Sequence, residues 1–145
     1  MYRKTFEELS KNELYALAKL RQQVFIVEQN SVYIDLDGHD QKAIHYLDFA
    51  PSGKLTVYAR YRQGKSIDEV KIERVVLDKS VRGKGQGKRL MQTILSDINF
   101  SSPKSCIVLS AQTGVCSFYR SLGFITQGEV YDDGGIEHID MFYQQ

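Results

Sequence analysis

The chain has 145 residues, enough for one domain with its own core, and its apolar content of 42% and charged content of 26% argue against intrinsic disorder. A net charge of +1 is unlike the basic excess of dedicated nucleic-acid binders, and no stretch has the length of a transmembrane helix or the apolar core of a signal peptide. Cys106 and Cys116 lack a metal-type spacing and indicate reduced thiols, so we expect one cytoplasmic domain over residues 1–145.

The first half of the chain predicts a strand, a helix and a hairpin. YRKTF at the N-terminus predicts a short strand. Ser10 and Glu13 have the spacing of a capping box, so a helix should begin there and run to about residue 28 or 29. The Asp- and Gly-containing loop NSVYIDLDGHD follows. AIHYLDF and LTVYARY, joined by a Pro-Ser-Gly turn, predict an antiparallel hairpin.

The second half alternates strands and helices. EVKIERVVL predicts a strand, and apolar residues from Leu90 to Ile98 recur at helical spacing. SCIVLSA is a continuous apolar run, typical of a strand covered on both faces. TGVCSFYRSLGF predicts a short helix closed near Gly123, and FITQGEV and IEHIDMFY predict a terminal hairpin. This order of elements is typical of an α+β fold.

The segment SVRGKGQGKRLM lies between a predicted strand and a predicted helix and resembles a phosphate-binding loop. A P-loop needs GxxxxGK[ST], but Arg82 stands at the first glycine position and Arg89 at the hydroxyl position. The Rossmann pattern GxGxxG also fails, because Lys88 stands at its third glycine. Glycines at the start of a helix still let free backbone N–H groups reach a pyrophosphate. A glycine-rich turn with solvated lysines is the structural alternative.

A third pattern fits the segment. Arg82-x-x-Gly85-x-Gly87 resembles the Gln/Arg-x-x-Gly-x-Gly/Ala motif of the GCN5-related N-acetyltransferase (GNAT) superfamily. IVLSAQTGVCSFYRSLGF is similar to the second half of that family's pattern, with Tyr119 at its tyrosine and Gly123 before a phenylalanine. LRQQVFIVEQNSVYIDLDGHD and GEVYDDGGIEHIDM resemble the ElaA-type branch. The family's usual Asn is replaced by Gln112, which puts one pantetheine contact in question.

This resemblance implies a layered α/β/α GNAT fold, in which a mixed, mostly antiparallel sheet is flanked by helices. The sheet should splay at the cofactor site, between KIERVVL and SCIVLSA. The resemblance also implies acetyl-CoA as the cofactor. The residues assigned to its binding by position are Val75, Val76, Leu77, Arg82, Gly83, Lys84, Gly85, Gln86, Gly87, Lys88, Gln112 and Phe118.

The resemblance further implies transfer of an acetyl group to an amine. Tyr119 is the candidate general acid for the departing thiolate, although its place on the apolar stripe of a helix also suits a core residue. Glu73 is the candidate base, and an ion-paired strand carboxylate is the equal alternative. Ideal alternation puts Glu73 on the face of Val75 and Leu77, so a bulge would change the face it sees.

The amine acceptor, a small molecule or a peptide, is assigned to Glu28, His45 and Arg74. His45 also suits amine deprotonation, but a single histidine in an apolar strand is more often packed and hydrogen-bonded, and His138 is interpreted in the same way. DLDGHD lacks the spacing of an EF-hand, so we expect no metal there and a solvated acidic loop that would attract a cationic amine.

Three functional alternatives remain at this point. The leading one is an acetyl-CoA-dependent N-acetyltransferase. A non-catalytic acyl-CoA-binding or sensing module would keep the loop without using Tyr119 or Glu73. Nucleic-acid binding through RGKGQGKR would show steep salt dependence, but the near-neutral charge disfavours it, so we expect no nucleic-acid or membrane partner. Exposed terminal strands would permit a homodimer.

Overall fold

The computed structural model describes residues 1–144 and contains one sheet of seven strands in the order β1-β2-β3-β4-β5-β7-β6. The strands are β1 (Tyr2–Thr5), β2 (Ile44–Phe49), β3 (Leu55–Gln63), β4 (Glu69–Leu77), β5 (Cys106–Gln112), β6 (Phe124–Asp133) and β7 (Ile136–Tyr143). The helices are α1 (Lys11–Arg21), α2 (Gln86–Ser101) and α3 (Cys116–Ser121). All the predicted strands and helices are present, and the predicted GNAT-type layered architecture is confirmed.

The first helix begins where the capping box predicts. The Glu13 backbone N–H donates to Ser10 Oγ at 3.0 Å, and the Ser10 N–H donates to Glu13 Oε1 at 2.8 Å. Helical structure continues to residue 28 as expected, but its last part, Gln22–Glu28, is π-helical. The Gln29 N–H accordingly donates to Val24 O, five residues back. Such segments occur preferentially beside functional sites.

Helices α2 and α3 cover one face of the sheet, and α1 with the π-helical segment covers part of the other. On β3, Val57 and Ala59 lie in the α2–α3 core, whereas Tyr58 packs under α1. The prediction that β5 is covered on both faces is wrong. Its buried residues alternate, because only the α2–α3 face is filled while Val108 and Ser110 lie half-buried on the other.

A β-bulge in β4 changes which face its side chains see. Tyr58 pairs with Val76, but Arg60 pairs with Glu73, so β4 has one extra residue, and Arg74 there has a φ of +57°. Beyond the bulge Val75 packs against the α2–α3 core. Glu73 therefore does not share a face with Val75, and the bulge allowed for by the sequence is present.

The two edges of the sheet differ in length and regularity. β1 has four residues and carries Arg3 and Lys4. β6 has ten residues, but its register with β7 breaks between Gln127 and Tyr131, where Gly128 has a φ of +81°. Within residues 1–144, the helices are all too short or too polar to span a bilayer.

Candidate active site

The site is organised by the separation of β4 from β5. These parallel strands pair only at Glu69, Val70 and Lys71, and β4 is unpaired on this side from Ile72 onward. Lys71 pairs with Val108. Four strand positions beyond this pair, about 13 Å along each strand, Gln112 on β5 lies opposite Val76 on β4, because the bulge adds one residue to β4. The splay lies where the sequence predicted it.

The backbone on the β4 side of the splay is free to bind an extended ligand. Val76 and Leu77 pair with β3 on their other side. The polar backbone groups that this part of β4 directs toward β5 have no strand partner among residues 1–144, and Leu77 O accepts from Arg82 Nε. This is the arrangement that the assignment of Val75, Val76 and Leu77 to pantetheine requires, because an amide-containing arm can pair with such an edge as a strand would.

The glycine-rich loop forms an open cradle at the start of α2. Gly83 and Gly85 have φ values of +74° and +81°, and no atom lies within 4 Å of the position that a Cβ would take at either residue. The first helical bond of α2 runs from the Arg89 N–H to Gly85 O. The N–H groups of the three preceding residues therefore have no helical acceptor and point out of the helix end. This geometry fits a pyrophosphate.

Gly87 and Gln86 have different roles from the two glycines before them. A Cβ at Gly87 would lie 3.3 Å from the Phe118 ring, so this glycine lets α3 pack against the first turn of α2. Phe118 thus reaches the cradle from the α3 side. The Gln86 Oε1 atom is buried without a hydrogen-bond partner among residues 1–144, which leaves an acceptor beside the cradle.

Arg82 is held by the chain itself. Its Nε donates to Leu77 O at 3.0 Å, and its Nη1 and Nη2 donate to the Glu28 carboxylate at 2.7 and 3.1 Å. Glu28 was assigned to the acceptor, but its carboxylate contacts the cofactor loop instead. Lys84 donates to Ser80 O at 3.2 Å, while Lys88 is exposed.

Tyr119 lies on α3 in the core, next to the Phe118 ring that reaches the cradle. Its ring packs edge-on against Phe118 and Phe124, and only 8% of the residue is exposed. Burial, with a smaller contribution from Cys116, raises the pKa of Tyr119 to about 12. The hydroxyl has no hydrogen-bond partner in the part of the chain that the structure describes. It is therefore a protonated donor that is free for a ligand.

Glu73 lies on the opposite face and is fully engaged. It accepts from Arg60 at 2.7 Å and from Arg62 at 2.9 Å. Burial opposes ionisation of this carboxyl, but the two arginines more than offset it, and the pKa of Glu73 is below its usual value. A carboxylate in this setting is a weak base, so the geometry supports the ion-paired alternative.

The acidic loop after the first helix is part of the same buried charge network. Asp40 accepts from two fully buried arginines, Arg21 and Arg60, at 2.7 Å each. Asp35 binds Arg21, and Asp37 binds Arg60. The expectation of a solvated acidic loop is wrong, because its carboxylates are neutralised by arginines. Within residues 1–144 there is no group of three or more His, Cys, Asp or Glu side chains that could hold a metal ion.

Two residues assigned to the acceptor are placed elsewhere by this network. The Arg74 guanidinium lies 2.8 Å from Asp35 and 3.2 Å from Asp37, so it anchors the loop to the bulge. His45 has no exposed surface, and its ring nitrogens contact Tyr58 Oη at 2.7 Å and Asp40 O at 2.9 Å. The structure corrects the assignment of His45, because a residue without exposed surface cannot touch an acceptor.

Gln29, Ser31 and Tyr33 were not among the predicted site residues, yet they make contacts on the α1 side of the splay. Gln112 donates to Gln29 Oε1 at 3.0 Å, and the Ser31 hydroxyl donates to Gly134 O in the β6–β7 turn. Tyr33 packs under Arg74 with a cation–ring distance of 5.6 Å. These contacts join sequence-distant segments, so no local pattern could reveal them.

A polar groove of about 710 Å³ lies on the uncovered part of this face, over the paired end of β4 and β5. On its floor the Tyr131 hydroxyl lies 2.7 Å from Ser110 Oγ and 2.6 Å from Asp140 Oδ1. Lys71 and Arg62 form the opposite wall. The α2–α3 face is filled by the core, whereas the groove face is open to a second substrate.

The comparisons with known proteins decide the family. The sequence model described as "Acetyltransferase (GNAT) domain" matches residues 8–144. The chain belongs to the GNAT acetyltransferase family. It is 39% identical to protein ElaA of Escherichia coli K12 over 137 residues, which cover 92% of this chain and 89% of ElaA.

Solved structures agree with the family assignment. The crystal structure of E. coli ElaA matches with a TM-score of 0.92 at 36% identity and covers 99% of this chain and 97% of that one. An acyl-CoA N-acyltransferase from Pseudomonas aeruginosa matches with a TM-score of 0.91 at 34% identity and the same coverage. An aminoglycoside 6'-N-acetyltransferase complexed with coenzyme A matches at 15% identity with a TM-score of 0.72, covers 98% of this chain and 96% of that one, and shares the GNAT fold.

Proposed function

We propose that the protein transfers an acetyl group from acetyl-CoA to a primary amine by direct attack in a ternary complex. The observation that carries this proposal is the splay itself, an unpaired strand edge that leads to an open helix N-terminus. The Phe118 ring that packs against this helix start also contacts Tyr119. When bound there, acetyl-CoA would supply the thioester that the amine attacks. Acetyltransferases of this fold that were solved in complex with coenzyme A support coenzyme A as the ligand.

Three parts of the chain would have separate roles along the splay. The N–H groups at the start of α2, between Gly85 and Arg89, would hold the pyrophosphate. The β4 edge from Val75 to Leu77 would bind the pantetheine arm and direct an N–H at the thioester carbonyl, and a donor of this kind contributes about 3 kcal/mol to catalysis. The Tyr119 hydroxyl would donate a proton to the departing sulfur.

Binding of acetyl-CoA should depend on Gly85. Calorimetric titration should show one saturable site in the wild type and at least about tenfold weaker binding in Gly85→Glu, a change of roughly 1.4 kcal/mol. The added carboxylate would occupy the open side of the cradle and repel the pyrophosphate. Gly53→Glu is the matched control, since Gly53 also has a positive φ and open space but lies in the β2–β3 turn.

Equal binding by both variants, or no binding of acetyl-CoA to the wild type, would reject the cofactor assignment. Binding without turnover of any amine would instead favour the acyl-CoA-binding module without catalysis. Steep salt-dependent binding of DNA by RGKGQGKR would indicate a nucleic-acid ligand.

Glu28 should weaken cofactor binding rather than help it. The Glu28 carboxylate occupies both Nη atoms of Arg82, which is the side chain assigned to the pyrophosphate. In Glu28→Gln, Arg82 is released from this ion pair and one negative charge near the phosphates is removed. We expect acetyl-CoA affinity to rise up to about fivefold, since exposed ion pairs contribute roughly 1 kcal/mol or less. Unchanged or weaker calorimetric binding would mean that Arg82 does not contact the phosphates.

A further inference from the structure

We propose that His138 is the general base that deprotonates the acceptor amine. This inference rests on the proposed acetyl transfer. An amine that is protonated in solution must lose a proton before its nitrogen can attack, and none of the catalytic roles described above provides for this. His138 belongs to β7, a strand that contains none of the predicted cofactor-binding residues.

The strand register places His138 at the level of the thioester. His138 pairs directly with Gln112, the last residue of β5, so their side chains share a face with Cβ atoms about 5 Å apart. Gln112 in turn lies opposite Val76, at the same distance beyond the last β4–β5 pair. His138 therefore lies beside the β5 edge of the splay, next to the groove residue Tyr131, on a face from which an acceptor can approach.

The ring of His138 is held in the form that a base requires. Its Nδ1 lies 2.8 Å from the Ile136 carbonyl oxygen, which can only accept, so Nδ1 carries the hydrogen. Nε2 then has a free lone pair in the neutral ring, and no protein partner occupies it within residues 1–144. The ring also stacks on Tyr131 at a centroid distance of 6.2 Å, which fixes its orientation.

The other carboxylates and histidines near the groove suit this role less well. Glu73 is bound by two arginines and is a weak base. Asp140 accepts from Ser110 and Tyr131. His45 is buried, and His39 lies on the exposed loop. Glu69 in the groove accepts from the Lys65 N–H at 3.0 Å. Of these groups, His138 combines a position beside Gln112 with a ring nitrogen that has no partner within residues 1–144.

The placement also separates the two proton transfers. Tyr119 lies in the α2–α3 core, whereas His138 lies on the opposite face of the sheet. An ammonium gives its first proton to His138 Nε2, which passes it to solvent. The amine nitrogen then forms the N–C bond from the groove side, and the C–S bond breaks toward Tyr119. The second amine proton leaves through Nε2, and Tyr119 protonates the thiolate and regains a proton from solvent.

The decisive experiment compares His138→Gln with His39→Gln in the full-length protein, using acetyl-CoA with n-butylamine or Gly-Gly. For His138→Gln we expect kcat/KM with butylamine to fall about 10²-fold or more. The loss should be smaller with Gly-Gly, because an α-amino group has a pKa of about 8, against about 10.4 for an alkylamine. Calorimetric affinity for acetyl-CoA should not change. His39→Gln should match the wild type in every measurement.

Long-range ¹H–¹⁵N spectra of the wild-type imidazoles give a second readout that needs no turnover. We expect the neutral His138 ring to carry its proton on Nδ1. A proton on Nε2, or a kcat/KM loss below about threefold in His138→Gln, would overturn the inference. Failure of the wild type to bind acetyl-CoA would instead reject the proposed function. If acetyl-CoA binds but neither amine reacts, the tautomer is the remaining test. A proton on Nδ1 then supports the inference, and a proton on Nε2 overturns it.

Discussion

Asp40→Asn should lower the free energy of unfolding by about 3–5 kcal/mol, the usual effect of removing one partner from a buried ion pair. Asp40 accepts from Arg21 and Arg60, whose side chains have no exposed surface, so the variant would leave two buried guanidinium groups short of a counter-charge. Because small domains are stable by about 5–15 kcal/mol, this change would bring the protein close to unfolding at room temperature. Urea denaturation followed by circular dichroism measures it.

Two further variants make the result specific. Asp68→Asn replaces an exposed aspartate in a turn and should change stability by less than about 0.5 kcal/mol. Asp37→Asn, whose side chain is 23% exposed, should have an intermediate effect. If Asp40→Asn is as stable as Asp68→Asn, the buried network does not stabilise the fold.

The same network predicts the direction of the pH dependence. Burial raises the pKa of Asp40, but hydrogen bonds and charges from the two arginines have the larger effect. The pKa of Asp40 is therefore below its usual value. A carboxyl with a lowered folded-state pKa contributes stability that is present above its unfolded pKa of about 3.9 and is lost as the pH falls below it. Wild-type stability should therefore decrease steeply in acid, and less steeply in Asp40→Asn.

Tyr119→Phe should lower kcat by about 10²-fold or more while leaving acetyl-CoA affinity and stability nearly unchanged. The hydroxyl has no hydrogen-bond partner within residues 1–144, so its removal breaks no contact of the fold. Its pKa of about 12 keeps it protonated at every practical assay pH, so its loss removes a proton donor at all of them. Thiol release with a chromogenic disulfide measures the rate.

Tyr143→Phe is the matched control for this substitution. Tyr143 packs against the same ring, Phe124, at a centroid distance of 5.3 Å, yet it belongs to β7, which is neither of the two strands that separate. This variant should retain wild-type turnover. Activity of Tyr119→Phe within about threefold of wild type would return Tyr119 to a purely structural role in the core.

Local sequence signals were sufficient for the elements and for the position of the splay. The capping box fixed the start of α1, and the strand–glycine loop–helix order located the separation of β4 from β5. Both depend on residues close together in the chain. The covering of β5 was predicted wrongly because a continuous apolar run does not show which of its faces meets a helix.

The charge network and the acceptor side could not be predicted in this way. Asp40 and its arginine partners Arg21 and Arg60 come together only when the loop folds back over β3. His138 and Gln112 are partners through strand register, and register between sequence-distant strands leaves no local pattern. The sequence also gives no sign of the positive φ at Arg74, because glycine is the residue that usually adopts this backbone conformation.

The break in β6 has a consequence for association between molecules. An exposed strand edge is a template for pairing with another chain, and long regular edges lead to aggregation. Here the ten-residue edge is interrupted at Gly128, and the part after the break carries Glu129, Asp132 and Asp133. A second copy could extend the sheet regularly only along residues 124–127, and beyond them like charges would meet. Protection against uncontrolled edge-to-edge growth is therefore built into the strand that closes the sheet.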